Sequence, residues 1–152
     1  MEMTKILVGV DASDASIEAL RRAAEEARWR DASLEVVYVF SPPQHVTAFP
    51  VLPDRGADQA DVEDRRARAT KDLGAWLDEI DVDLSDLKVE WSVMASHKTA
   101  SALIEQSKDA DMVVVGSRGR GGFAGLRLGS TSEQVTRHAR CPVLVVRDST
   151  RD

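Results

Sequence analysis

With 152 residues and a formal net charge of −6, the chain has room for one sizeable hydrophobic core. It lacks the positive excess of a general nucleic-acid binder. Apolar residues at 43% and charged residues at 30% describe a globular, water-soluble mix. The single cysteine, Cys141, excludes an internal disulfide, which suits a reducing cytoplasm better than a secreted scaffold.

The first apolar run, Ile6–Val10, reads as a buried strand. It is too short, and too soon interrupted by Asp11, to serve as a signal peptide. No apolar run approaches the ~20 residues of a membrane helix. Ile17, Leu20, Ala24 and Ala27 then recur at helical spacing, and Leu34–Phe40 forms a second buried strand. Ser41–Ala57 carries Pro42, Pro43, Pro50 and Pro53 and reads as a long loop, either a functional lid or a disordered connection. Val62, Ala69, Leu73, Trp76, Leu77 and Ile80 mark a longer helix with Gly74 inside it. Lys88–Met94 alternates polar and apolar residues, the pattern of a half-exposed edge strand. Ala100, Leu103, Ile104 and Ser107 mark a third helix, Met112–Val115 a buried strand, Val135 and Ala139 a short fourth helix, and Val143–Val146 the last strand. Strands alternating with helices imply parallel pairing through right-handed crossovers, hence one open α/β domain over 1–152.

Ligands of open α/β sheets bind beyond the carboxyl ends of the strands. Directly after the fourth strand lies GSRGRGGFAGLRLGST, residues 116–131. Its glycines allow close backbone approach, and exposed amides there can form an anion-binding nest. Arg118, Arg120 and Arg127 concentrate positive charge in an acidic chain. Gly129 and Ser130 open the next helix, whose amino end favours anions. Together these features point to a phosphate. Each also has a plainer explanation: a flexible turn, solvated arginines, and a capping box formed by Ser130 with Glu133. There is no GxxxxGK(S/T) loop, and the dinucleotide fingerprint is missing from the first strand–helix turn. Asp11 ends the first strand at the same edge. It can accept hydrogen bonds from ribose hydroxyls, or it can serve as a turn aspartate with Ser13 or Asp14 capping the helix that follows.

These residues resemble the universal stress protein family, whose ATP-binding branch carries G-x2-G-x9-G-S/T. Gly116, Gly119, Gly129 and Ser130 match that spacing, and VGVDASDAS and HARCPVLVVR resemble its flanks. The resemblance implies a Rossmann-like, five-stranded parallel sheet in the order 3-2-1-4-5 with helices on both faces. It places an adenine nucleotide between the first and fourth strands. Asp11 would contact ribose, and the Val39 backbone would hold adenine. Gly116, Gly119, Gly129 and Ser130 would cradle ribose and phosphates, with Arg118 and Thr131 beside them. Val10 and Ala12 would line the base or ribose pocket. Two departures stand out: Ala12 where the family often has glycine, and Ala95-Ser96-His97-Lys98 where a glycine often lies. His97 and Lys98 read as an exposed helix start rather than as ligand contacts.

Pro142–Val146 should be an edge strand, and in this family that edge commonly pairs with its copy in a homodimer. Cys141 reads as a small buried residue rather than a nucleophile. The expected function is that of a cytoplasmic, ATP-binding sensor in the stress response, with at most slow turnover. AMP or cyclic AMP binding and slow ATPase or phosphotransferase activity are the alternatives. With ATP, a magnesium ion could be reached from Asp11 through phosphate oxygens or water.

Overall fold

The computed structural model describes residues 4–42, 59–118 and 128–147. Five strands, β1 (Lys5–Val10), β2 (Ser33–Phe40), β3 (Val89–Ala95), β4 (Met112–Gly116) and β5 (Val143–Val146), form one parallel sheet in the order β3-β2-β1-β4-β5. Four α-helices alternate with them: α1 (Asp14–Arg30), α2 (Gln59–Glu79), α3 (Thr99–Gln106) and α4 (Ser130–His138). The expected fold class and strand order are both present, and β3 and β5 are the two edges. Most of the proline-bearing loop lies outside the described residues.

Strand alternation sorts the core into two layers. Ile6, Val8, Val10, Leu34 and Val36 pack with α1 and with Leu73 of α2. Leu7, Val37, Val113 and Val115 face the other way, against Ala100 and Leu103 of α3 and Val135 of α4. Helix α1 meets the sheet through Ala19, Ala23, Ala24 and Ala27, all fully buried. Side chains this small let the helix axis lie close to the central strands. On the opposite face Gly9 plays the same part: a Cβ there would lie 2.8 Å from Leu103 Cδ1.

Among the described residues, the buried side-chain nitrogen and oxygen atoms are all hydrogen-bonded. Glu35 is buried, takes the Lys5 ammonium at 3.1 Å and accepts the Ser92 hydroxyl at 2.7 Å. The hydrogen bond to Glu35 raises the Lys5 pKa above its ordinary value. Helix α3 ends in a short 3-10 turn, Ser107–Asp109. The buried Ser107 hydroxyl donates to the Ile104 carbonyl at 2.6 Å and accepts the Arg140 N–H at 2.9 Å, fixing the approach to β5. Cys141 is half-buried beside this point; burial, with the Asp111 charge second, pushes its thiol pKa up. A thiol held protonated is a poor nucleophile, in line with the packing role expected of it.

Candidate nucleotide site

The sheet parts at its carboxyl edge. The β1–β4 ladder runs from Ile6↔Met112 to Val8↔Val114 and stops, although β1 continues to Val10 and β4 to Gly116. Beyond that point β1 stays with β2, pairing Val10 with Tyr38, while β4 stays with β5, pairing Gly116 with Val146. Strand order reverses between β1 and β4, so the parting lies at the topological switch point where α/β sheets bind ligands.

On one side of the parting is the β1–α1 turn. Asp11 Oδ1 accepts the Ser13 N–H at 3.0 Å, the Ser13 hydroxyl, and the Ser16 hydroxyl at 2.5 Å. The Asp11 N–H in turn donates to Ser16 Oγ at 2.8 Å. Ser13 is the N-cap of α1 and its hydroxyl accepts the Ser16 N–H. Asp11 is thus a turn aspartate at the strand end, and that role leaves its ribose role open. Ala12 carries φ 63° in the left-handed region. Glycine takes that conformation most readily, so alanine at this position carries backbone strain. Val10 is buried in the α1-side core.

On the other side, β4 runs into the glycine-rich segment. Its two ends are drawn together at one carbonyl. Ser117 O accepts the Gly129 N–H at 2.7 Å and the Ser132 hydroxyl at 3.1 Å, while the Ser117 N–H donates to Val146 O at 2.8 Å. This neck sets Gly116 and the half-buried Arg118 beside Gly129, Ser130 and Thr131 at the amino end of α4. Gly119 and the remaining glycines and arginines of the segment lie outside the described residues. Gly116 has a packing reason of its own, since a Cβ on it would sit 3.2 Å from Ala15 O and 3.3 Å from Ala15 Cβ. The two turns therefore touch at Gly116 and the first turn of α1.

The capping box expected of Ser130 and Glu133 does not form. Gly129 is the N-cap, extended at φ −64° and ψ 160°, and α4 has no side-chain cap. Ser130 is the first helical residue instead, and Glu133 pairs with Arg137 at 2.8 Å. The neck explains this: with Gly129 N bonded to Ser117 O, the helix starts one residue earlier than the box requires. The Gly129 carbonyl accepts the Glu133 N–H, so the amides of Ser130, Thr131 and Ser132 have no acceptor within the helix. They form the anion-favouring end that the sequence suggests.

A third group flanks Asp11 on the β2 side. Val39 is half-buried near the end of β2 and pairs with Met94. An open cleft of about 550 Å³ runs from Asp11 along Tyr38, Val39 and Phe40 to Arg65 and Arg68 of α2. Arg66 stacks over the Phe40 ring at 5.7 Å and donates to Val93 O. His97 and Lys98 are exposed, as expected, and Ser96 Oγ rather than a side chain of theirs bonds the start of α3.

Residues 2–147 match the description "Universal stress protein family". The chain belongs to the universal stress protein family. It is 36% identical over 149 residues to universal stress protein Rv2623 of Mycobacterium tuberculosis, covering 97% of this chain and 46% of that one. It is 31% identical over 150 residues to universal stress protein MJ0531 of Methanocaldococcus jannaschii, covering 94% of this chain and 81% of that one. The chain thus spans about half the length of the mycobacterial relative and most of the archaeal one. Among solved structures, UspA from Lactobacillus plantarum superposes with a TM-score of 0.71 at 25% identity, covering 97% of this chain and 99% of that one. A universal stress protein in complex with cAMP superposes with a TM-score of 0.60 at 26% identity, covering 97% and 98%. Set against this universal stress protein fold, sequence reasoning had passed over Ser16, Ser117 and Ser132. No spacing rule marks them, because each acts through a contact that only the folded edge creates.

Proposed function

We propose that this universal stress protein binds an adenine nucleotide at the parted carboxyl edge, ATP in the first instance. It acts as a nucleotide-dependent regulatory module in a cytoplasmic stress response, with at most slow turnover. The observation that carries the reading is the neck at Ser117, which holds the strand end Gly116–Arg118 against the open amides of α4, across the parting from Asp11. In this reading Asp11 contacts ribose and the Val39 backbone holds adenine. Gly116, Gly119, Gly129 and Ser130 cradle ribose and phosphates, Arg118 and Thr131 flank them, and Val10 and Ala12 back the sugar and base. Glu133, one turn into α4, pairs with Arg137 at 2.8 Å on the exposed face of the helix. Among the described residues no three His, Cys, Asp or Glu side chains gather as a metal cage. Magnesium would come with ATP, held by phosphate oxygens and water.

The solved relative in complex with cAMP supports a second reading, in which AMP or cyclic AMP occupies the same edge with fewer phosphate contacts. Homodimerisation through Pro142–Val146 belongs to the proposal as well. It is supported by β5 standing at the sheet edge, where backbone groups remain available for pairing.

The test is to denature freshly purified protein, identify released nucleotide by mass, and melt the nucleotide-free protein with ATP, AMP and cyclic AMP. A ligand at about 100 times its dissociation constant stabilises by about 2.7 kcal/mol, a rise of roughly 5–10 °C in a chain of this size. Released ATP, or a shift with ATP that Gly119→Ala abolishes, supports the reading; no nucleotide and no shift refutes it.

A further inference from the structure

Asp11 and Ser16 are bonded to each other in both directions. The Asp11 N–H donates to Ser16 Oγ at 2.8 Å, and that hydroxyl donates to Asp11 Oδ1 at 2.5 Å. Ser16 is 5% exposed, so solvent scarcely competes for either bond. It occupies the third helical position of α1, where a capping box would place a glutamate or glutamine reaching back to the N-cap amide. Here the residue at that position reaches further back, to Asp11, the first residue of the turn. Ser13 supplies two more donors to the same oxygen. Donors converging on one oxygen from a fixed helix start set both the torsion and the plane of a carboxylate. Of these donors, Ser16 is the only one that also anchors the Asp11 backbone, and it alone is fully inside the fold.

We propose that Ser16 is a positioning residue for Asp11, holding its carboxylate in the one orientation from which it accepts hydrogen bonds from ribose hydroxyls. The proposal rests on the nucleotide reading above. Ser16 does not touch the ligand; it acts through Asp11. The competing role is purely local, a bond that stabilises the start of α1 and nothing more. The two roles differ in what they predict for nucleotides that lack a ribose hydroxyl.

The experiment is a calorimetric titration of wild type, Ser16→Ala and Ser16→Thr with ATP, 2′-deoxyATP and 3′-deoxyATP, alongside melting of each nucleotide-free protein. Wild type should prefer ATP to at least one deoxy analogue by about tenfold, the scale of one hydrogen bond to a charged group. Ser16→Ala should bind ATP about tenfold more weakly while keeping its affinity for that analogue, so the preference collapses. Ser16→Thr retains the hydroxyl and should restore the preference, whatever its melting temperature. The proposal is overturned if Ser16→Ala keeps the tenfold preference, or if it weakens ATP and both analogues alike. Wild type binding all three equally removes the Asp11–ribose contact, and the proposal with it. Wild type binding none of them defeats the nucleotide reading itself.

Discussion

The two turns that flank the parted edge solve the same problem differently. The β1–α1 turn spends only Asp11, Ala12 and Ser13 between strand and helix, and side chains tie it: one carboxylate oxygen gathers the donors of Ser13 and Ser16. The β4–α4 connection runs from Ser117 to Gly129, and main chain ties it, at the Ser117 carbonyl. A short turn has to force one residue into an unfavourable conformation, here Ala12, and then hold it with side chains. A long one can close its neck with relaxed backbone. The first is therefore stiff but dependent on a few side-chain atoms, and the second is tolerant of side-chain loss.

The largest test of that contrast is Asp11→Ala. It strands the buried Ser16 hydroxyl and both Ser13 donors, and should lower stability by about 2–3 kcal/mol in urea denaturation. Ser132→Ala, the matching change at the other neck, should lower it by only about 1 kcal/mol, because the Gly129–Ser117 backbone bond remains. Equal losses would erase the distinction between the two turns. Gly116→Ala probes where they touch. Its Cβ presses on the Ala15 backbone, which cannot yield as a side chain tip can, and a loss of about 2 kcal/mol is expected. Ala12→Gly should do the reverse, relieving the left-handed strain and raising stability by about 1 kcal/mol; a neutral or destabilised variant would show that the side chains fully hold the turn. The smallest effect lies away from both turns. Arg28 lowers the Asp86 pKa through a hydrogen bond at 2.7 Å, so this exposed pair favours the fold above the ordinary aspartate range and loses that contribution as pH falls below about 4. Melting temperature against pH should be flatter on the acid side in Asp86→Asn, with both turns unaffected.

Much of the architecture was legible because it depends on patterns that repeat. Valine runs of strand length, separated by helical periods, leave few arrangements other than a parallel α/β sheet. The polar–apolar alternation of Lys88–Met94 likewise marked β3 as an edge, displaced by one residue from its observed span, Val89–Ala95. The motif's fixed spacing singled out Gly116, Gly129 and Ser130, and the bond from Gly129 N–H to Ser117 O brings the two ends of that segment together. The site was misread where two local explanations competed. Ser130 and Glu133 satisfy the capping-box pattern, yet a hydrogen bond from Gly129 to a residue twelve positions earlier decides where α4 begins. Gly9 looked like any strand residue, and only the arrival of Leu103 from α3 gives its missing side chain a reason. Nothing in the sequence pattern marked Ser16, and its burial follows from how tightly α1 lies on the sheet.

Ser117 also shapes how this edge would exchange its amide protons with solvent. Its N–H is held by β5 and its carbonyl by Gly129, so both sides of one residue are committed. The Gly129 amide belongs to no strand, yet it can meet water only when the bond to Ser117 opens. Deuterium uptake at Gly129 therefore reports on opening of the neck rather than on motion of the segment it closes. Fraying of β5 would release Ser117 first and Gly129 after it, and the lag between the two measures how firmly the neck holds without its strand.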